Sequence, residues 1–182
     1  PVTALGLEPG RYLSVIARAE PENSLLEIVE GFSRKPRGMK LAVLGKYEDG
    51  NAYHQAVKAA AGNEVMFLGA IYDKKVVQAL RFHSAAYVHG HQVGGTNPSL
   101  VEALGAGNAV IAHDNRFNRW VAGPGAAFFD GAAGFATQLD AILADPTRLD
   151  SMRKASRERF LAEFQWEKIL SEYETLLLKY QK

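Results

Sequence analysis

The stretch His89–Asn115, HGHQVGGTNPSLVEALGAGNAVIAHDN, holds the residues best suited to chemistry. Gly94 and Gly95 can adopt backbone conformations closed to other residues and bare their amides. Asn97 suits a helix N-cap, and Pro98 the first helical position. A glycine-rich loop thus runs into a helix start directly after a short apolar run, Ala85–Val88. Such a junction gathers unpaired N–H groups at the positive end of a helix, and that combination suits a phosphate. Turn formation and packing alone also use these residue types, so the loop by itself leaves both readings open.

Glu102 lies one turn into that helix, among Leu100, Val101, Ala103 and Leu104. A carboxylate in so apolar a setting usually has a partner or a ligand hydroxyl. It is not a capping-box residue, because the slot three after Asn97 is Leu100. Near a phosphate-binding helix start it can accept hydrogen bonds from ribose hydroxyls; the plainer reading is that it favours the positive end of its own helix. Arg18 follows the run YLSVIA (Tyr12–Ala17). At a strand's carboxyl end its guanidinium can clamp a diphosphate, or it can pair with Glu20 or Glu22. His89 and His91, two apart, share a side of an extended segment. Three readings stand: a metal pair, contacts to a ligand, or local hydrogen bonds. His83 reads as structural, and Trp120 and Trp166 as packing residues.

These residues need a scaffold, and the patterning supplies one. Short apolar runs alternate with longer amphipathic ones, the mark of βαβ units and a parallel sheet. Strands are predicted at Tyr12–Ala17, Lys40–Leu44, Glu64–Leu68, Ala85–Val88, Ala109–Ala112 and Ala126–Phe129. Helices are predicted over residues 21–33, 51–61, 73–82 and 98–106. From Gly131 onward the chain reads as helical, and Trp166, Ile169, Leu170, Tyr173, Leu176 and Leu177 stripe the last helix. The basic stretch Arg34–Lys40 (RKPRGMK) reads as a solvated connection. The expected fold is a single α/β domain over residues 1–182. It is Rossmann-like and doubly wound, with a six-stranded, mainly parallel sheet, helices on both faces and a helical C-terminal extension. The loop 89–97 then lies at the carboxyl edge of the sheet, where such folds bind ligands.

Composition narrows the classes. The chain has 182 residues, 47% apolar and 23% charged, with a net charge of +1. That balance gives no reason to expect a nucleic-acid or membrane surface. The lack of cysteine excludes disulfides and thiolate metal sites and fits a cytoplasmic protein. Pro1–Ala4 carries neither a basic nor an apolar leader pattern, and without an initiator Met an excised fragment is a live expectation.

At these residues the chain resembles the retaining glycosyltransferases of the GT-B fold, sequence family 4, also called group 1. SVIARAEPENSLLEIVEGF, KLAVLGK, EVMFLGAIYD, NPSLVEALGAGNAVIA and FQWEKILSEYETLL look like that family's successive segments, in order along nearly the whole chain. The stretch from His89 to Asn115 is similar to a rhamnosyltransferase-like branch. The resemblance implies a C-terminal, donor-binding half of a GT-B fold, with the acceptor held by an N-terminal domain absent from this chain. Glu102 matches the second glutamate of the family's E-x7-E motif and is expected at the donor ribose. Gly94 stands where the first glutamate falls. Arg18 matches the family's diphosphate-binding arginine, and Asn23 stands where a lysine usually accompanies it. Amides around Gly95, Thr96, Asn97 and Ser99 are expected to face the diphosphate and sugar, with Thr96, Asn97 or His91 compensating for the missing Glu and Lys. Gly69 and Tyr72, on the loop after the third strand, are expected near the base.

The implied activity is retaining transfer of a glycosyl group from a nucleotide-diphosphate sugar to a saccharide or glycan, in polysaccharide biosynthesis. The enzyme would be of hexosyltransferase type, need no metal or cofactor, and be inactive as this fragment alone. The resemblance assigns no catalytic residue within this half. It implies a cytoplasmic location, peripheral to the membrane in the full-length protein, and self-association through an exposed cleft face. A non-catalytic nucleotide-sugar-binding module is the alternative that Gly94 favours. A dinucleotide-binding domain ranks lower, because Ala17-Arg18-Ala19-Glu20 stands where a G-x-G-x-x-G would follow the first strand.

Overall fold

A computed structural model describes residues 1–180. Six strands form one sheet: β1 (Tyr12–Ile16), β2 (Lys40–Leu44), β3 (Val65–Gly69), β4 (Ala86–His89), β5 (Ala109–His113) and β6 (Ala127–Phe129). Their order is β3-β2-β1-β4-β5-β6, and every neighbouring pair is parallel. The helices are α1 (Leu25–Ser33), α2 (Ala52–Ala59), α3 (Lys74–Phe82), α4 (Pro98–Gly105), α5 (Arg116–Ala122), α6 (Gly131–Leu143), α7 (Pro146–Glu163) and α8 (Trp166–Leu178). This is the expected Rossmann-like, doubly wound sheet, with all of its pairings parallel.

The strands are mostly apolar because both faces of the sheet are covered. The period-two alternation of strand side chains divides them cleanly. Leu13, Val15, Leu41, Val43, Ala86, Val88, Ala109 and Ile111 join Phe32 of α1 and Phe135 of α6 on one face. On the other, Tyr87, Val110 and Ala112 meet Leu100 and Leu104 of α4 and Val121 of α5. Tyr12, Ala42 and Leu44 meet Leu80 of α3 on that same second face. Each fully buried leucine contributes about 1.5–3 kcal/mol.

Strand order reverses between β1 and β4. Their ladder ends at Ser14↔Tyr87, whereas β4 stays paired to β5 as far as His89↔Ala112. The carboxyl ends of β1 and β4 therefore part, and the chain leaves them toward opposite faces. A crevice at that point is the ligand position of open α/β sheets.

Several elements differ from the sequence reading. The helix expected over 21–33 divides into a 3-10 turn, Pro21–Asn23, and α1, with Ser24 left-handed at φ 48° between them. The Ser24 hydroxyl donates to Gly90 O at 2.8 Å, so the break is anchored to the loop after β4. α5 and a 3-10 turn at Thr3–Leu5 are additional. The Arg34–Lys40 stretch is more than a solvated connection. Arg37 folds under α1, donating from Nε to Phe32 O and from Nη2 to Gly31 O, both at 2.9 Å, and pairs with Asp140 of α6. α8 keeps its apolar stripe but buries no residue.

Candidate functional site

The loop from His89 to Asn97 sits in the crevice, held from both flanks. On the β1 side, Gln92 donates its backbone N–H to Glu22 O and its Nε2 to Ser24 Oγ, both at 2.8 Å. Gly90 packs so tightly there that a Cβ on it would lie 2.0 Å from Asn23 O. On the β5 side, Asn115 and Asn118 donate to His91 O at 3.0 and 2.8 Å. Asn118 is buried and also donates to His113 O at 2.9 Å. Helix α5, capped by Asn115, is thus the brace of the loop.

The loop ends at α4 as anticipated. Asn97 caps the helix by accepting from Ser99 N at 3.0 Å, and Pro98 takes the first position. Gly95 has φ +96°, a conformation that favours glycine. Among the described residues, the amides of Gly94, Gly95, Thr96 and Asn97 have no acceptor. Four consecutive bare N–H groups therefore precede a helix N-terminus at the switch point of the sheet. That arrangement suits an anion, by its free donors and by the helix dipole.

Below the loop, a polar network ties β1, β4 and α3 to the head of α4. Ser99 Oγ lies 2.8 Å from Tyr87 OH, and both hydroxyls are 3.4 Å from Ile16 O. Burial holds the Tyr87 phenol above its usual pKa. Arg81 of α3 donates from Nη2 to Ser99 Oγ at 3.0 Å and pairs with Glu102 Oε2 at 2.7 Å. Its side chain is 8% exposed, against 59% for Glu102. Glu102 thus has the partner its apolar setting called for, and still faces solvent.

The remaining expected residues fall into two groups. Tyr72, Thr96 and Glu102 line one cleft of about 1150 Å³, together with Arg81, Phe82 and Trp166. Tyr72 is 88% exposed on the loop that begins at Gly69, where φ is +70°. Trp166 is 72% exposed in that cleft, so it is a wall of the cleft rather than a core packing residue. Arg18, Asn23 and His91 cluster on the other flank of the loop. Arg18 is 78% exposed, and among the described residues its guanidinium meets Glu22 alone, at 3.6 Å, which matches the ion-pair alternative. Asn23 is buried, donating to Arg18 O at 3.0 Å and holding His91 Nδ1 at 2.8 Å. Its amide orders the Arg18 turn and cannot replace a cation.

His89 is buried against Tyr87, with Nε2 unpartnered. Burial, with His91 adding repulsion, lowers its pKa to about 3, so it is neutral. Among the described residues no group of three or more His, Asp or Glu is placed to hold a metal. Gly94 is occupied from outside: a Cβ there would lie 2.8 Å from the Phe117 ring of α5. The Arg116 guanidinium stacks on that ring, 4.6 Å from its centroid. Arg81, Asn118 and Phe117 were not legible as site residues. The one signal was Glu102, an unexplained carboxylate that requires a cation from elsewhere.

The family model of glycosyl transferases group 1 matches residues 6–159. The chain belongs to that family. Solved structures similar to this group 1 chain share its fold at low identity. Sucrose-phosphate synthase from Thermosynechococcus elongatus superposes with a TM-score of 0.82 at 20% identity, over 97% of this chain and 47% of that one. Anabaena HepE, solved in complex with UDP, gives 0.84 at 15% identity over 97% of this chain and 51% of that one. The C-terminal domain of the group 1 protein LpcC from Francisella tularensis gives 0.75 at 15% identity, over 90% of this chain and 91% of that domain. The group 1 chain thus spans about half the length of the first two and nearly all of the isolated domain. No curated protein matches its sequence at significant similarity.

Proposed function

We propose that this chain is the donor-binding half of a retaining glycosyltransferase. It holds a nucleotide-diphosphate sugar for transfer to a saccharide or glycan bound by another domain of a longer protein. The observation that carries the reading is the row of bare amides at residues 94–97 ahead of α4, with Glu102 one turn into that helix and the exposed cation Arg18 at the carboxyl end of β1. The diphosphate lies on those amides, and Arg18 neutralises the charge that develops on the leaving nucleotide. Glu102 accepts from the ribose, and the base lies toward Gly69 and Tyr72. Thr96, Asn97, Ser99 and His91 flank the diphosphate and sugar. The solved HepE complexes with UDP and UDP-glucose support a nucleotide sugar as the ligand class. The reaction uses no metal. The chain alone is inactive, and the whole protein works at the cytoplasmic side in polysaccharide assembly as a hexosyltransferase of the rhamnosyltransferase-like branch.

A second reading is a nucleotide-sugar-binding module without catalysis. Gly94 favours it, because the Phe117 ring fills the place where the family's first glutamate would stand. The full-length protein separates the two. Incubated with its nucleotide sugar and a saccharide acceptor, it should release nucleoside diphosphate and give a product whose anomeric configuration, read by NMR, matches the donor. Binding with no transfer would select the module; inversion would overturn the retaining assignment.

A further inference from the structure

Arg81 is a buried cation beside the site that phosphate binding does not use. It comes from the last turn of α3, and its Nε has no partner. Its Nη2 alone spans two residues of α4, Ser99 at 3.0 Å and Glu102 at 2.7 Å. Glu102 Oε1 takes no hydrogen bond from the described residues, and the side chain lines the open cleft. One carboxylate oxygen is therefore fixed from beneath while the other is presented to a ligand.

We propose that Arg81 is a positioning residue of the ribose site: it holds Glu102 in the rotamer that accepts a hydroxyl from the nucleotide's ribose. The proposal rests on the donor-site reading above and deepens it. An exposed glutamate on its own samples several rotamers, and a ligand must restrict them on binding. A carboxylate already held by a buried guanidinium meets the hydroxyl in place, so the ordering cost does not fall on the ligand. The arrangement needs arginine. The rigid guanidinium carries Nη2 to both Ser99 and Glu102 from a fixed position, whereas a lysine ammonium on a flexible stem fixes neither. The link through Ser99 to Tyr87 and the carbonyl of Ile16 also sets the height of the Glu102 helix on the sheet.

The test is discrimination, which a merely structural ion pair would leave unchanged. UDP, GDP and TDP are titrated beside their 3′-deoxy counterparts by calorimetry. Wild type should favour the nucleotide with the 3′-hydroxyl by about tenfold. Arg81→Ala should bring that ratio close to one and keep the affinity for the 3′-deoxy form within about twofold; Arg81→Lys should fall between. Should Arg81→Ala fail to fold, Arg81→Lys and Glu102→Gln carry the test. Glu102→Gln should lose the same discrimination, and adding Arg81→Lys to it should cause no further loss. A wild-type ratio in folded Arg81 variants would overturn the inference alone. No binding of any nucleoside diphosphate to the wild type would overturn the donor-site reading and the inference with it.

Discussion

The carboxylate of Glu102 answers a buried cation on one side and an open cleft on the other. Truncation therefore does more than remove a ligand contact. Glu102→Ala leaves the Arg81 guanidinium, 8% exposed, with Ser99 as its remaining side-chain partner. Leaving a buried charged donor short of a partner costs about 1–3 kcal/mol, reduced here because Glu102 itself is solvated. Glu102→Gln keeps an acceptor oxygen and should stay within about 0.5–1 kcal/mol of wild type. Urea melts of the two variants should separate them in that order, and equal midpoints would contradict the pairing. His89 supplies a pH signature. Its pKa is about 3 in the fold against 6.5 in an unfolded chain. Below pH 6.5 the unfolded chain takes up a proton that the native one refuses. Its contribution to stability is therefore full above pH 6.5 and is lost as pH falls toward 3, at about 1.4 kcal/mol per pH unit. Between pH 6.5 and 4.5, wild type should lose about 2 kcal/mol more than His89→Phe, a change that also removes the unpartnered Nε2. Parallel pH dependence of the two would refute the buried neutral imidazole. The sequence marked Glu102 because a carboxylate is out of place among apolar neighbours, Arg18 because it closes a strand, and the glycine pair because it runs into a capped helix start. It could not mark Arg81, which in one dimension is one more cation in the last turn of an amphipathic helix.

At the scale of elements, the site is a loop stretched between two supports. Its β1 support, the 3-10 turn at Pro21–Asn23 with left-handed Ser24, breaks what periodicity alone reads as one helix. Its β5 support, α5, has only seven residues and too few apolar positions to show a period, so the sequence passed over it. The six strands and the start of α4 were legible because each rests on a local rule: apolar runs buried on both faces, and an Asn-Pro cap. What was not legible is long-range, such as the meeting of Asn118 with the carbonyls of His91 and His113. That meeting is testable. Asn118→Ala removes both hydrogen bonds from a buried side chain and should cost about 1–3 kcal/mol. It should also weaken nucleotide binding several-fold, because the bare amides lose their brace. A destabilised variant that binds nucleotide as well as wild type would show that α5 does not order the loop.

At the scale of the molecule, α8 carries an apolar stripe that the described residues leave uncovered. Leu170 and Tyr173 are exposed along it, and Trp166 lines the cleft. A continuous apolar face of this kind drives association. We propose that the chain self-associates through the cleft face and α8. Sedimentation velocity should show a dimer growing with concentration, reversed by Leu170→Glu with Tyr173→Glu; a monomer at every concentration would refute it. The chain's span, about half that of sucrose-phosphate synthase and HepE, sets which measurement comes first. On the proposed function, transfer needs an acceptor site outside this chain, whereas every residue assigned to the donor lies within it. The decisive experiment is a thermal-shift titration of this chain with UDP, GDP and TDP, repeated on Arg18→Ala and Glu102→Gln. A ligand at about 100 times its Kd adds about 2.7 kcal/mol to stability. The account predicts a clear rise in Tm with one nucleotide, smaller in both variants. No rise with any nucleotide, or an equal rise in wild type and both variants, would contradict it.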